Sequence, residues 1–368
     1  HLQKCLYKGL CPKLSTNNMV LKIGNRPIKL MKAHSKPDFN CRTVLSNSTY
    51  EYVELWLRNQ KGDKYKEALF YWNQSRIFYN ASLELPIDAK PLTSYYSIMN
   101  ATKALLVIHG VKVIGIGHGV SSSRQDITGN VRKDKIIYGA TGVLCNLSRI
   151  LDEPDKKQEY TVYDLLYNLP CVHRTFTITN TDATELFIPI SDVSFTLTNN
   201  ADAAKREVYI RFRVDRIYDN YRMRNYLPNK VKYAVPPGDE VPYYRIKKQF
   251  KWNIHESMSG RLNALIKYHK DARKTFYYIN GSQMLWYIKK ELPKNTHLVD
   301  RHSMTIIYGV MHWLSEQVRY SPNIFEKLMK SKQNWLIREF IDLGLPQFID
   351  EISSEITGAN IMCTGYIK

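Results

Sequence analysis

The chain has 368 residues, 44% of them hydrophobic and 12% aromatic, enough to build a sizeable buried core and to exclude a mainly disordered protein. Seventeen glycines and 15 prolines exclude collagen-like and low-complexity classes. Lys and Arg number 53 against 34 Asp and Glu, and this formal charge of +19 favours anionic partners: nucleic acid, nucleotides or an acidic surface.

The first forty residues carry Gly9, Pro12, Gly24 and Pro27 among short apolar runs, and read as irregular with one short strand near Val20–Ile23. Helical spacing begins after Ser48 with Tyr52, Leu55 and Trp56. A second helix is expected from Lys64 to Leu83. Pro86 ends it, and Pro91 opens a third that runs to His109 with Gly110 as a left-handed cap. A glycine-containing loop, Val113 to Ser123, follows. Helices are expected at Gly142–Leu151 and Val162–Asn168.

The pattern changes near Arg174. Thr175–Thr179, Glu185–Ile190 and Val193–Leu197 read as strands. The clearest strand is Glu207–Asp215, where Val208, Ile210, Phe212 and Val214 alternate with Tyr209, Arg211 and Arg213. Phe250–Ile254 reads as the closing strand. Helices return at Met258–Tyr268, Ser282–Leu292, Ser303–Arg319, Asn323–Met329, Trp335–Leu343 and Pro346–Ile356. The expectation is an α+β, mainly helical protein. It divides into an N-terminal helical region (1–172), a β-rich basic insertion (173–254) and a C-terminal helical region (255–368).

No apolar run approaches the ~18 residues of a membrane-spanning helix, and no signal-peptide pattern stands after His1. Six cysteines lie scattered without C-x-x-C spacing, which fits a reducing cytoplasm. Cys5, Cys11, His34 and Cys41 match no standard zinc spacing, so neither a metal nor another cofactor is expected.

The strongest chemical signal lies in residues 201–275, with 18 Lys and Arg against 8 Asp and Glu and with interleaved tyrosines. Cationic side chains neutralise phosphates and aromatic rings stack on bases, so Tyr209, Arg211, Arg213, Lys247 and Lys248 are candidates for contact with RNA or DNA. The alternative is a solvated strand face whose charges block edge pairing. A second candidate is an anion site at His118, Ser121, Ser122, Ser123 and Arg124, where glycines allow close backbone approach and hydroxyls stand beside an arginine. In Asp300-Arg301-His302-Ser303 neighbouring helical residues point apart, so this run reads as a helix start capped by Asp300 rather than as a site. Asp182, Glu185 and Glu207 would suit a dispersed nuclease site, but nothing in the sequence positions them together.

Several blocks resemble the YaaC-like family: Tyr71-Trp72-Asn73-Gln74-Ser75, Lys90-Pro91-Leu92, Tyr95 through Leu106, His118-Gly119, Asp164-Leu165-Leu166, and Leu314 through Pro322. The Tyr95–His118 stretch is also similar to HEPN proteins, helical bundles that are often dimeric and bind or cut RNA. Their arginine, followed four to six residues later by a histidine on a helix, has no counterpart here: seven residues separate Arg261 from His269 and Arg26 from His34. The resemblance therefore implies a HEPN-like bundle without that catalytic pair. The function expected is a non-catalytic nucleic-acid-binding or assembly component of antiviral defence, with a partner protein or further copies of itself. A nuclease assembled from distant segments, or a nucleotide sensor using Gly115–Arg124, are the alternatives.

Overall fold

The computed structural model describes residues 19–122, 127–198, 200, 202–215, 217–235, 242–281, 284–292 and 294–363. A hairpin of Lys22–Ile23 (β1) and Arg26–Pro27 (β2) leads to Val44–Ser46 (β3) and three helices, Thr49–Arg58 (α1), Asp63–Glu84 (α2) and Lys90–Ile108 (α3). A three-stranded antiparallel sheet follows: Val120–Ser122 (β4), Lys135–Tyr138 (β5) and, beyond Val143–Ile150 (α4), Gln158–Thr161 (β6). Val162–Tyr167 (α5) and His173–Thr179 (α6) complete this part.

The second unit holds Phe187–Leu197 (β7), Glu207–Val214 (β8), Tyr221–Arg224 (α7), Val231–Ala234 (β9) and Tyr243–Ile246 (β10). It continues through Phe250–Lys251 (β11), Met258–Arg273 (α8), Phe276–Ile279 (β12) and Leu285–Lys289 (β13). Its strands pair antiparallel in the order β12-β13-β7-β8-β10-β9, with β11 on the end of β8. Ser303–Tyr320 (α9), Pro322–Met329 (α10) and Asn334–Thr357 (α11) return to the helical unit, and Ile361–Cys363 (β14) pairs parallel with β3.

Two apolar cores organise this mixed α+β chain. The first gathers Trp72, Leu105, Leu166, Ile307, Trp313 and Phe340 around α3, α9 and α11. Helix α9 is buried on nearly every side, as expected of a helix that is apolar all round. The second core lies between the large sheet and α8, where Phe195, Ile210, Phe212, Tyr244 and Leu265 meet. It also takes Leu21, Ile28, Leu30 and Met31 from the N-terminal segment, and so reaches past the expected 173–254 span on both sides.

Several local expectations differ. Glu185–Ile190 and Val193–Leu197 form one strand, β7, with an irregular register between Ser191 and Ser194, and Phe250–Lys251 does not close the sheet, because β12 and β13 follow it. Thr175–Thr179 is helical: Phe176 is wholly buried in the first core, and packing overrides β-branched propensity. Ser282–Leu292 is not a helix but contributes β13. Trp286 and Ile288 face the second core while Tyr287 packs on the first, an alternation that only a strand can present to two cores at once. Trp335–Leu343 and Pro346–Ile356 are one helix with Pro346 inside it. Among the described residues no helix is long and apolar enough to cross a membrane.

Candidate functional site

The outer face of the large sheet collects basic side chains through strand register. Arg245 of β10 lies opposite Arg211 of β8 and Lys232 of β9, and Arg211 lies opposite Ser194 of β7. Among the described residues no carboxylate comes within 4 Å of Lys232, Arg245 or Arg211, and a buried Nη2 of Arg245 has no hydrogen-bond partner. Arg213, on the same face, lies 3.5 Å from Asp192. Tyr209 shares the face but is only 3% exposed, because the Arg245 guanidinium lies 3.9 Å above its ring. Tyr209 Oη lies 3.4 Å from Tyr243 Oη, and Arg211 lies over the Tyr243 ring. Guanidinium groups therefore form the outer layer and the tyrosines support them. Lys247 and Lys248 lie elsewhere, past the end of β10 on the α8 side, where Lys248 pairs with Asp271 at 2.9 Å. The structure brings Tyr209, Arg211 and Arg213 together and separates them from the two lysines.

In the glycine loop the close backbone approach serves another segment of chain. Gly119 and Gly142 both have positive φ, and a Cβ on Gly142 would sit 2.5 Å from Gly119 N. The first amides of α4 are already used: Val143 N–H donates to Gly117 O and Leu144 N–H to His118 O. His118, on the rim, is hydrogen-bonded through Nδ1 to Tyr95 Oη, and its ring stands 5.9 Å from that of His312 on α9. Burial, then the charge of Lys103, holds the His118 imidazole below its usual pKa. Ser122 donates through Oγ and N–H to Glu316, so its hydroxyl faces a carboxylate. Ser121 is exposed on the other face of β4. Ser123 and Arg124 lie outside the described residues.

A third constellation is formed by tertiary structure alone. Between the two cores five distant segments enclose a cavity of about 80 Å³. The charges in its lining and directly behind it are mostly paired. Lys32 donates to both oxygens of Asp350, with side chains 1% and 4% exposed. Arg301 donates to Glu153 at 3.0 Å, and Glu153 also accepts from His302 N–H and Thr305 Oγ1. Glu355 accepts from the backbone of His34 and Ser35. Arg273 differs: it donates to the carbonyl oxygens of Lys32 and Phe276, with no carboxylate in ion-pair distance among the described residues.

Facing the space are His34, His302 and Glu351. The His34 and His302 rings meet edge-on with centroids 6.0 Å apart. His302 Nδ1 accepts from Met304 N–H at 3.2 Å and lies 3.7 Å from a Glu351 oxygen. His34 is 2% exposed, and neither of its ring nitrogens has a partner. Burial, then Arg273 and Lys270, pushes the His34 pKa down to about 3, so the ring is neutral. Burial raises the Glu351 carboxyl to about 7.

The expected helix cap is corrected here. His302, not Asp300, is the N-cap of α9, and Asp300, Arg301, His302 and Ser303 all line the cavity because the chain is extended before the helix begins. His34 and Glu351 carry no motif, although acids at 350, 351 and 355 inside an apolar helix mark buried charge, which is rare unless paired. Among the described residues no group of three or more His, Cys, Asp and Glu is placed to hold a metal ion. Comparison with curated proteins finds no match, nor does comparison with solved structures. The profile of the YaaC-like protein family matches residues 39–356, and the chain belongs to that family.

Proposed function

We propose that this protein is a nucleic-acid-binding component whose binding surface is the outer face of the large sheet. The observation that carries the reading is the cross-strand row Lys232–Arg245–Arg211, which no carboxylate accompanies among the described residues. Like charges directly opposite each other on a sheet are destabilising, so the row costs stability unless an anion occupies it. A phosphodiester backbone supplies such anions at regular spacing. Capping of Tyr209 by Arg245 makes phosphate binding the main interaction and leaves little room for base stacking. Assembly with a partner protein or with further copies, a HEPN-like helical unit, a cytoplasmic setting and a role in antiviral defence belong to the same proposal through the family resemblance.

The test is fluorescence anisotropy with single-stranded RNA and DNA oligonucleotides over a salt series. Binding should weaken as salt rises, and Arg211→Ala with Arg245→Ala should flatten the log–log slope by roughly 0.7 for each phosphate deprived of its cation. Absence of wild-type binding at low salt would end the proposal.

RNA cleavage is a second reading, favoured by one observation. Tyr95, His118, His312 and Glu316 converge from distant segments, and Arg319 stands one turn further along α9. Cleavage in EDTA that disappears in His118→Ala would select this reading over non-catalytic binding.

A further inference from the structure

We propose that the groove where the helical unit meets the end of the large sheet is a binding site for a free mononucleotide. The groove holds about 760 Å³, against about 80 Å³ for the cavity between the cores. Ligand sites are commonly clefts of roughly 300–1,000 Å³, often at the junction of two units. One wall comes from α5, through Tyr163 and Tyr167. The other comes from Tyr226, beyond α7, and from the chain that follows β13.

These walls are held in place by their own contacts. Asn168 fixes the chain after β13 at two points, donating to His297 O at 2.7 Å and accepting from Val299 N–H at 3.0 Å. Asn295 donates to Tyr167 Oη at 3.0 Å. The Arg132 guanidinium lies 4.0 Å from the centre of the Tyr163 ring and donates to both oxygens of Asp182, at 3.0 and 2.9 Å. The His297 ring meets the same tyrosine edge-on at 5.0 Å, and its Nδ1 lies 2.6 Å from Asp164 Oδ1. Side chains already ordered lose little freedom when a ligand arrives.

The bonding capacity these contacts leave over defines the ligand. Asp182 and Asp164 are engaged, whereas Lys290 and Lys294 have no carboxylate within 4 Å among the described residues. Lys290 is partly buried, and burial lowers its pKa. Its cation lacks part of its water without gaining an acid, and a bound anion makes up that loss. The two lysines therefore suit a phosphate. Tyr226 is 44% exposed on the groove, and an exposed ring is a surface on which a base can stack. A carboxylate only accepts, so the proton of neutral His297 sits on Nδ1 and Nε2 is left to accept from a hydroxyl. A nucleoside monophosphate carries phosphate, planar base and hydroxyl donor together; an acidic peptide lacks the base, and inorganic phosphate lacks both ring and sugar. None of these residues belongs to the cross-strand basic row, so this site goes beyond the sheet face.

The experiment is thermal unfolding of the full chain with adenosine, guanosine, cytidine and uridine monophosphates, the matching nucleosides and inorganic phosphate, at equal ionic strength. A ligand that binds only the folded state raises the midpoint as its concentration rises. At least one monophosphate should raise it at concentrations where its nucleoside and inorganic phosphate do not. Lys290→Met keeps the length of the stem and removes the charge; it should weaken binding by about tenfold and leave the ligand-free midpoint unchanged. Lys294→Ala, at an exposed position, should weaken binding several-fold and keeps the test open if Lys290→Met does not fold. Tyr226→Ala should weaken binding by roughly tenfold, and Tyr226→Phe should retain it, because stacking needs only the ring. These variants should bind oligonucleotides like the wild type. No shift with any monophosphate, an equal shift with its nucleoside or with inorganic phosphate, or a full response in Lys294→Ala or Tyr226→Ala would overturn the proposal. A loss of oligonucleotide affinity in the same variants would overturn it too, by making the groove part of the polymer's surface.

Discussion

The outer sheet face and the cavity between the cores both concentrate charge, and they do it by opposite means. On the sheet, Lys232, Arg245 and Arg211 come from three adjacent strands, and they remain unpaired with acids among the described residues. Around the cavity, Lys32 meets Asp350 behind the lining and Arg301 meets Glu153 within it, across separations of 318 and 148 residues, and these charges are paired and buried. Surface charge costs little to keep because water solvates it, whereas buried charge survives only with partners. The first arrangement is free to meet an external anion. In the second, pairing holds the walls and leaves only a few groups unused.

The largest expected effect follows from that difference. Lys32→Met would leave Asp350 buried without its cation and should lower unfolding stability by roughly 3–5 kcal/mol in urea titration. The double variant Lys32→Met with Asp350→Leu should recover most of that stability, because an apolar pair can replace a buried ion pair. A double variant no better than the single one would show that the segment near Ile361, which also accepts from Lys32, matters more than the charge.

Acid stability sharpens the comparison next. The folded-state pKa of His34 is about 3, below the ordinary value near 6.5. Its contribution to stability is therefore complete above about pH 6.5 and declines as pH falls through that window toward 3. His302 and His269 are depressed in the same sense by burial and by Arg273, while Glu351 acts oppositely, losing stability as pH rises toward 7. Lys270, Lys274, Asp152 and Glu355 complete the charges around His34. At about 1.4 kcal/mol per pKa unit, His34→Leu should reduce acid destabilisation between pH 6.5 and 4 by a few kcal/mol. Parallel pH profiles for variant and wild type would mean that His34 is solvated in solution.

What the sequence makes legible follows the same division. Eight residues of β8 carry their own alternation, so the placement of Tyr209, Arg211 and Arg213 on one face can be read directly. The helices from α1 to α3 are equally plain, since helix spacing and a first-turn proline are local signals. The β12–β13 hairpin escapes such reading because its alternation serves two different cores, so aromatic and aliphatic residues stand on both faces and only Lys289, at its end, looks polar. The cavity escapes for a stronger reason. His34 sits in an irregular segment, Arg273 ends a helix and Glu351 lies inside another, and only the tertiary fold gives them a shared neighbourhood. The Tyr209 stacking role depends on a fact no alternation contains, the guanidinium of a neighbouring strand lying over the ring.

On the sheet face stability and binding should part company. Arg211→Thr removes one member of a like-charged row and places a strand-favouring residue there, so stability should stay constant or rise by about 0.5 kcal/mol. Oligonucleotide affinity should fall in the same variant. A drop in stability matching the drop in affinity would mean that Arg211 acts through its interactions with Tyr243 and Ser194 and not through an external anion.

The smallest effect belongs to Lys247 and Lys248, and it tests the geometry most closely. Both count toward the basic segment in sequence, yet they lie on the α8 side of the sheet. The Lys248–Asp271 pair is solvent-exposed, with side chains 62% and 38% accessible, so Lys248→Ala should change stability by less than about 1 kcal/mol. If binding tracked net charge alone, removing these two lysines would flatten the salt slope as much as removing Arg211 and Arg245. If it follows the cross-strand row, the lysine variant keeps the wild-type slope and loses only a little affinity through the long-range field, which salt screens over about 8–10 Å. Titrating the two double variants side by side distinguishes these outcomes, and equal slopes would move the binding surface away from the face that Arg245 and Arg211 share.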